Sequence, residues 1–524
     1  MLFTSGERLL LYGKVVQEDG DARERFIYMK DGTIQAITPG RPPGTQDLTP
    51  VMTGRYDWIY PGLLDLHSHS SYNILPIWDS PNAPYPNRFA WRGSEEYQEG
   101  IKDYDAYLRK PHQDPDEPKR KPRTHKVERA ALAELQAIAG GVTVLQESYT
   151  LEEQAGHPEE TVLCRGTGNP HEMGLPDDAE ILSLVDLFRP DQDGNPAPVG
   201  WAMQKYLDAR NKGTLKSTLV HLAEGRSGFG SSDGPDSYTR REFEAFMAHP
   251  AFQDADAVKQ SPFNLIHACG LDPYSDVHLN FLKERDISVI WSPVSNLLLY
   301  DETIDIGPLM QAGVNVVLGS DWSPSGSKHV WDEAKFARFF FDALEVPISD
   351  ALLFQMITAH AARCLGTYAL GRLTAGAMAD LFIIRSPFET DNPMEVFFKA
   401  SDRDVLAVLV GGEPIYGDGD FLAQFGRTLQ PLPRVEGSAV ANKRVHLPAD
   451  IHNEYGQALD VDRDMMHLEQ MLKHPPAPMK PEKRSNLLSS SDRPYRERLA
   501  NLRRDTIEYA WRIYNWRGGG HGVS

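Results

Sequence analysis

Pro61-Gly-Leu-Leu-Asp-Leu-His67-Ser-His69 is the stretch on which the fold turns: an apolar run that ends in two imidazoles two positions apart. In an extended strand alternate side chains share a face, so His67 and His69 can reach one point beyond the strand's C-terminal end. Two neutral ring nitrogens meeting there suit a transition metal. In a chain with 17 histidines a lone His-x-His pair is weak evidence, and its weight depends on what else arrives at the same place.

Working outward, residues 61 to about 319 alternate short apolar runs with longer helix-compatible stretches, the pattern of a parallel α/β sheet or barrel. The predicted strands are Gly62–His67, Val142–Gln146, Thr161–Cys164, Ile181–Val185, Thr218–His221, Asn264–His267, Ser288–Trp291 and Asn315–Leu318. Eight is the barrel number. Helices are expected over Lys126–Ala139, Arg240–Ala248, Val277–Arg285 and Asp332–Leu344, with a further helical stretch near Asp350–Leu365. Short strands flank this region. Before it come Leu9–Tyr12, Gly13–Val16, Phe26–Met29 and, after an Asp31-Gly32 turn, Thr33–Ile37; after it come Asp380–Ile384 and Val405–Val410. The expected architecture is α/β: a distorted (β/α)8 TIM barrel over 61–375 and a small β-sandwich built from both flanks, 1–60 and 376–420. Residues 421–524 form a C-terminal extension, Pro-rich and then basic, whose Leu499, Leu502, Tyr509 and Ile513 lie near helical spacing. That helix either packs on its own chain or docks on a partner subunit, which leaves a homo-oligomer open.

The chain has 524 residues, 41% hydrophobic and 24% charged, which suits a folded globular protein of several domains or one large barrel with additions. Its formal charge of −20 repels phosphate backbones and anionic lipid, so no nucleic-acid or membrane partner is expected. Three widely spaced cysteines do not form a thiolate zinc site or a disulfide framework. Met1–Val16 is interrupted by Glu7, Arg8 and Lys14 and lacks the layout of a secretory signal, so a cytoplasmic location is expected.

The company His67 and His69 require comes from other strand ends. His221 closes Thr218-Leu-Val-His221, His267 closes Asn264-Leu-Ile-His267, and Asp321 follows Val316-Val-Leu-Gly-Ser320. Singly, His221 or His267 reads as well as a hydrogen-bonded core residue, and Asp321 as the start of a turn. In a barrel, however, the C-terminal strand ends converge on one mouth. Glu224, three residues past His221, is either a solvated loop carboxylate or a proton carrier overhanging a metal-bound water. A divalent ion held by His67, His69, His221 and Asp321 would lower the pKa of its water from about 15.7 to roughly 7 and make a hydroxide nucleophile. Glu224 would then move the proton to a leaving nitrogen, with His267 bonding the nucleophile or developing oxyanion and Asp321 orienting the hydroxide.

At these residues the sequence resembles the amidohydrolase superfamily, in its branch with cytosine deaminase, guanine deaminase and the triazine hydrolases. The resemblance rests on Pro61–His69, Gly140-Gly-Val-Thr143, His221-Leu-Ala-Glu224, Ile266-His267, Trp291-Ser-Pro-Val-Ser-Asn296, Leu318-Gly-Ser-Asp321 and Leu370–Asp380, and covers most of residues 8 to 417. It implies one zinc or iron ion on His67, His69, His221 and Asp321, with Glu224 and His267 as catalytic groups around it. Dinuclear relatives carry a lysine on the fourth strand; none stands in Ile181–Val185 or Thr161–Cys164, which favours a single ion. The extension after about Phe421 has no counterpart, and a long insert follows the first strand, from Tyr72 to about Arg123. Its Trp78 and Arg88, together with Trp322, are candidate substrate contacts, the alternative being a loop that packs on itself. The implied reaction is C–N hydrolysis by water, most simply deamination of a small nitrogenous substrate such as an amidine, guanidine or aminated N-heterocycle. An amide or cyclic-amide hydrolase and a catalytically silent scaffold are the rival readings.

Overall fold

The computed structural model describes residues 7–465 except for 70–71, 76–77, 79–81, 113–118, 120, 123, 147–162, 228–236, 428, 433–442, 448–451 and 453–456. The expected C-terminal helix around Leu499–Ile513 lies outside the described residues. Among the described residues, eight parallel strands carry the central part: β1 (Leu63–Asp65), β2 (Val142–Leu145), β3 (Arg165–Gly166), β4 (Glu180–Leu184), β5 (Leu215–Leu222), β6 (Phe263–His267), β7 (Ser288–Trp291) and β8 (Val316–Leu318). They pair in chain order as β1-β2-β3 and as β4-β5-β6-β7-β8. A parallel bridge between Ser68 and Asp321 ties the chain just past β1 to the chain just past β8.

The helices fall between the strands, as a parallel α/β unit requires. Those that matter below are α1 (Arg88–Arg92), α2 (Lys126–Ala139), α3 (Gly200–Lys212), α4 (Tyr238–Ala248), α5 (Asp276–Glu284), α6 (Pro293–Tyr300) and, after β8, the Val330–Ala343 helix, α7. Their starts follow ordinary capping chemistry: Ser237 accepts from the Arg240 N–H before α4, and Ser275 from the His278 N–H before α5. Between the strands lies one cluster made of Leu64, Val144, Leu219, Ile266, Ile290 and Val317, one side chain each from β1, β2, β5, β6, β7 and β8. Ile181 of β4 packs against it, and Ala361, Ala362 and Leu365 are among its other members. The larger cluster sits between the strands and the surrounding helices and includes Leu132, Tyr206, Phe243, Phe246, Trp291 and Phe340.

The flanks join in a ten-stranded, mainly antiparallel sheet with a core of its own, including Leu11, Ile27, Ile59, Leu381, Ile383 and Leu409. Asp57–Pro61 pairs with Arg8–Val16 on one side and with Leu381–Arg385 on the other, so the seam between the two flanks lies at the strand that leads into β1. Gln430–Pro431 and Lys443–Val445, beyond residue 421, extend the same sheet.

Two expectations are corrected. Leu9–Tyr12 and Gly13–Val16 are one strand, Arg8–Val16; Gly13 is needed because a Cβ there would stand 2.1 Å from Thr53 Oγ1, and not because the chain turns. Of the expected Thr161–Cys164 strand, Thr161 and Val162 lie outside the described residues; the third parallel strand described is Arg165–Gly166. Arg165 is buried in it because Asp380 takes its guanidinium at both oxygens, 2.7 and 2.9 Å away. Asp380 also accepts the Gly411 N–H at 2.7 Å, so one carboxylate ties β3 to the flank sheet. Removing one partner strands the other charge, so Asp380→Ala should cost about 3–5 kcal/mol, read as a lower midpoint in urea unfolding; a midpoint equal to wild type would show that the clamp contributes nothing.

Candidate metal centre and active site

The strand ends bring together the residues that the sequence placed there separately. His67 Nε2 lies 3.1 Å from His221 Nε2 and 3.2 Å from Asp321 Oδ1. His69 Nε2 lies 3.3 Å from His221 Nε2 and 3.5 Å from the same Asp321 oxygen. His67, His221 and Asp321 are buried, and the His69 side chain is 20% exposed.

Backbone geometry explains the convergence. The Asp321 N–H donates to the His67 carbonyl at 2.7 Å, which locks the end of β8 against the end of β1. The approach is so close that a Cβ on Gly319 would stand 2.3 Å from His67 Cβ, and only glycine fits. His267 and Asp321 both adopt left-handed backbone, with φ of 68° and 63°. Non-glycine residues pay for that conformation, and such strain gathers where side chains must be aimed.

Burial drives three of the imidazoles toward neutrality. It lowers His69 to about 3 although Asp321 opposes the shift, lowers His221 well below its ordinary value with help from the neighbouring rings, and lowers His267 as well. Burial alone would raise the Asp321 carboxyl, but His67 overrides it and holds the group well below the usual carboxylate range. With His69, His221 and His267 held toward the neutral form beside the Asp321 carboxylate, the centre offers ring lone pairs and an anionic oxygen, the donors a divalent cation takes. Neighbouring ligand atoms among His67, His69, His221 and Asp321 lie 3.1, 3.2, 3.3 and 3.5 Å apart, close enough to share one cation. His67, His69 and His221 can thus hold one metal ion, and so can His67, His267 and Asp321. His67 Nδ1 lies 2.7 Å from the Ser292 hydroxyl, an outer contact that fixes its ring.

Two further groups face the centre. Glu224 Oε2 is 3.6 Å from His267 Nε2, and Asp321 Oδ2 is 3.9 Å from the same nitrogen. Asn296 donates from Nδ2 to Thr303 Oγ1 at 3.1 Å, so its oxygen accepts from His267 Nδ1 at 2.8 Å. The His267 proton is thereby placed on Nδ1, and Nε2 turns its lone pair to the two carboxylates. The other Glu224 oxygen accepts from the Tyr300 hydroxyl at 2.5 Å.

Of the three candidate substrate contacts, Trp78 and Trp322 come together in a buried aromatic group with Trp91 and Tyr97, their own ring centres 6.2 Å apart. Trp322 stacks on Trp91 at 5.5 Å. Arg88 is a correction. It is fully buried on α1, and its guanidinium is taken up by Glu242 at 2.6 and 3.0 Å, by Asp186 at 3.0 Å and by the Phe188 carbonyl at 3.5 Å. Two buried acids from distant segments satisfy it, which leaves little for a substrate. The sequence reading gave no role to Tyr300; an isolated tyrosine at the end of an apolar helix carries no signal of what it will touch. Ser292 and Asn296 lay within a quoted motif but had no task assigned to them.

Residues 234–415 match the model of the Amidohydrolase family. The 5′-deoxyadenosine deaminase of Methanothermobacter thermautotrophicus is 33% identical over 156 residues, which are 28% of this chain and 36% of that protein. The chain thus spans about a third of that relative's length. The 5-methylthioadenosine/S-adenosylhomocysteine deaminase of Clostridium tetani is 21% identical over 431 residues, 77% of this chain and 92% of that protein. Among solved structures, the triazine hydrolase from Arthobacter aurescens superposes with a TM-score of 0.54 at 15% identity, covering 78% of this chain and 94% of that one. The fold is accordingly TIM-barrel-like α/β. No helix among the described residues is long and apolar enough to cross a membrane.

Proposed function

We propose, from an amidohydrolase kinship carried by motifs, family match and fold alike, that the chain is a mononuclear metal-dependent hydrolase that deaminates an aminated N-heterocycle, an amidine or a guanidine. The observation that carries this reading is the close approach of His67, His69, His221 and Asp321, whose neighbouring ligand atoms lie 3.1, 3.2, 3.3 and 3.5 Å apart, so that one ion of the zinc or iron kind can be shared among them with a position left for water. The proposed frame is a distorted (β/α)8 barrel over 61–375, whose closure is supported by the Ser68–Asp321 bridge. A β-sandwich over 1–60 and 376–420 and an extension over 421–524 complete it. Two of the relatives are named as deaminases of purine nucleosides or their thioethers, so an aminated purine falls within the proposed substrate class.

A bound divalent ion supplies Lewis acidity that brings the pKa of water from 15.7 down to about 7. The chain's own groups do the rest. Glu224 accepts the proton of the attacking water at Oε2, the oxygen that faces His267. As the water oxygen bonds to the ring carbon, its one remaining hydrogen is accepted by Asp321 Oδ2 or by the His267 Nε2 lone pair 3.9 Å from it, which holds the nucleophile in line. Glu224 then hands its proton to the exocyclic nitrogen, the C–N bond breaks, and ammonia leaves while the carbon keeps the oxygen. Trp78 and Trp322 supply aromatic faces for a planar substrate.

Ammonia release should be measured across 5′-deoxyadenosine, 5-methylthioadenosine, guanine, aminotriazines, guanidino compounds and cyclic amides. Release from an aminated heterocycle or guanidine is the expected result. A panel that yields only carboxylates from amides would replace deamination by amide hydrolysis, and one with no turnover by zinc- or iron-loaded protein would end the enzyme reading.

A further inference from the structure

Trp91 of α1 donates its indole N–H to the Tyr300 hydroxyl at 2.8 Å, and that hydroxyl lies 2.5 Å from Glu224 Oε1. All three side chains are buried. An indole N–H can only donate, so the phenol oxygen is the acceptor in the first bond, and its own hydrogen is left for Glu224. The direction of the chain is therefore fixed: Trp91 to Tyr300 to Oε1. Glu224 is left with one oxygen tied to a donor and the other, Oε2, turned to His267 at 3.6 Å.

The same short helix holds the Glu224 backbone. The Arg88 N–H donates to the Glu224 carbonyl at 3.3 Å, and Asn87 bridges to Gly225. A Cβ on Gly225 would stand 2.5 Å from the Pro86 carbonyl oxygen, so this contact demands glycine. The Arg88 guanidinium grips Glu242, which in turn accepts the Ala223 N–H at 3.1 Å. Three direct contacts, and a fourth relayed through Glu242, thus run from residues 86–88 to the loop 223–225. These residues belong to the long insert that follows β1, from Tyr72 to about Arg123.

We propose that Tyr300, oriented by Trp91, is a positioning residue that occupies Oε1 and dedicates Oε2 of Glu224 to proton transfer, so that the insert sets the aim of the proton carrier. The inference rests on the proton-carrier role given to Glu224 above. Without the phenol the carboxylate is free to rotate and to present either oxygen, and a misplacement of about 1 Å is enough to cost roughly 10²-fold in rate.

The test is a double-mutant cycle on metal-loaded full-length protein, with the panel compound that wild type turns over fastest. Tyr300→Phe should lower kcat about 10- to 100-fold, change KM by less than about threefold and leave bound metal unchanged. Trp91→Phe should lower kcat less, and should add little once Tyr300 is already Phe. In a Glu224→Gln background Tyr300→Phe should have almost no further effect, because the group it positions is gone. A purely structural role would instead give losses that multiply. The proposal is overturned by wild-type kcat in Tyr300→Phe, or by a full independent loss in the Glu224→Gln background. If Glu224→Gln alone keeps wild-type turnover, it is the proton-carrier reading that fails, and the two failures are told apart within one set of four proteins.

Discussion

Glu224→Gln should lower kcat by about 10²–10⁴-fold while leaving the bound metal in place. The expected loss follows from position. The carboxylate lies outside the His67, His69, His221 and Asp321 set, with its Oε2 facing His267 at 3.6 Å. A carboxamide of the same shape still accepts the Tyr300 hydrogen bond through its oxygen, so folding and ligand geometry should survive. It cannot take a proton from water or deliver one to a departing nitrogen. At about 1.4 kcal/mol per factor of ten, the loss is roughly 3–5 kcal/mol of transition-state stabilisation. Steady-state kinetics alongside metal analysis separates the outcomes. Lost activity together with lost metal would make Glu224 part of the binding set, and full activity would remove it from the mechanism.

His67→Ala should abolish both metal and activity. His67 is buried, and its Nε2 is the atom closest to two other members of the set, at 3.1 and 3.2 Å. Deleting the outer partner of a metal-binding histidine typically weakens metal affinity about 10–100-fold. Ser292→Ala removes such a partner, at Nδ1 of the same ring. Loss of His67 itself should therefore exceed the Ser292→Ala effect, and competition with a chelator orders the two. Equal metal affinity in both variants would place the ion elsewhere. Because an ion binds the folded form, chelation should also lower the melting temperature of wild type and leave that of His67→Ala almost unchanged.

What could be read in advance, and what could not, divides along a physical line. Strand ends are legible because an apolar run that stops at a polar residue is a local pattern, and the parallel α/β rule carries all such ends to one side. His67, His69, His221, His267, Glu224 and Asp321 all lie at such places and all meet. Contacts between distant segments leave no local trace. Tyr300 lies 76 residues from Glu224 and 209 from Trp91, and helical periodicity announces burial without naming a partner. Arg88 was misjudged for the same reason. Its acids lie 98 and 154 residues away, and an arginine among aromatics looks like a substrate contact until they are seen. Arg165 hid the third strand in the same way: a charge reads as a strand's end unless its partner, 215 residues on, is known. Gly13 shows the reverse error, a glycine taken as punctuation where it serves close packing.

The central claim is that four side chains from three separated segments surround one cation, and the most direct measurement is metal content per chain. Protein expressed with supplemented zinc or iron is expected to carry about one equivalent, and the His67→Ala protein prepared in parallel almost none. Less than about half an equivalent in wild type, or equal amounts in the two proteins, would contradict it.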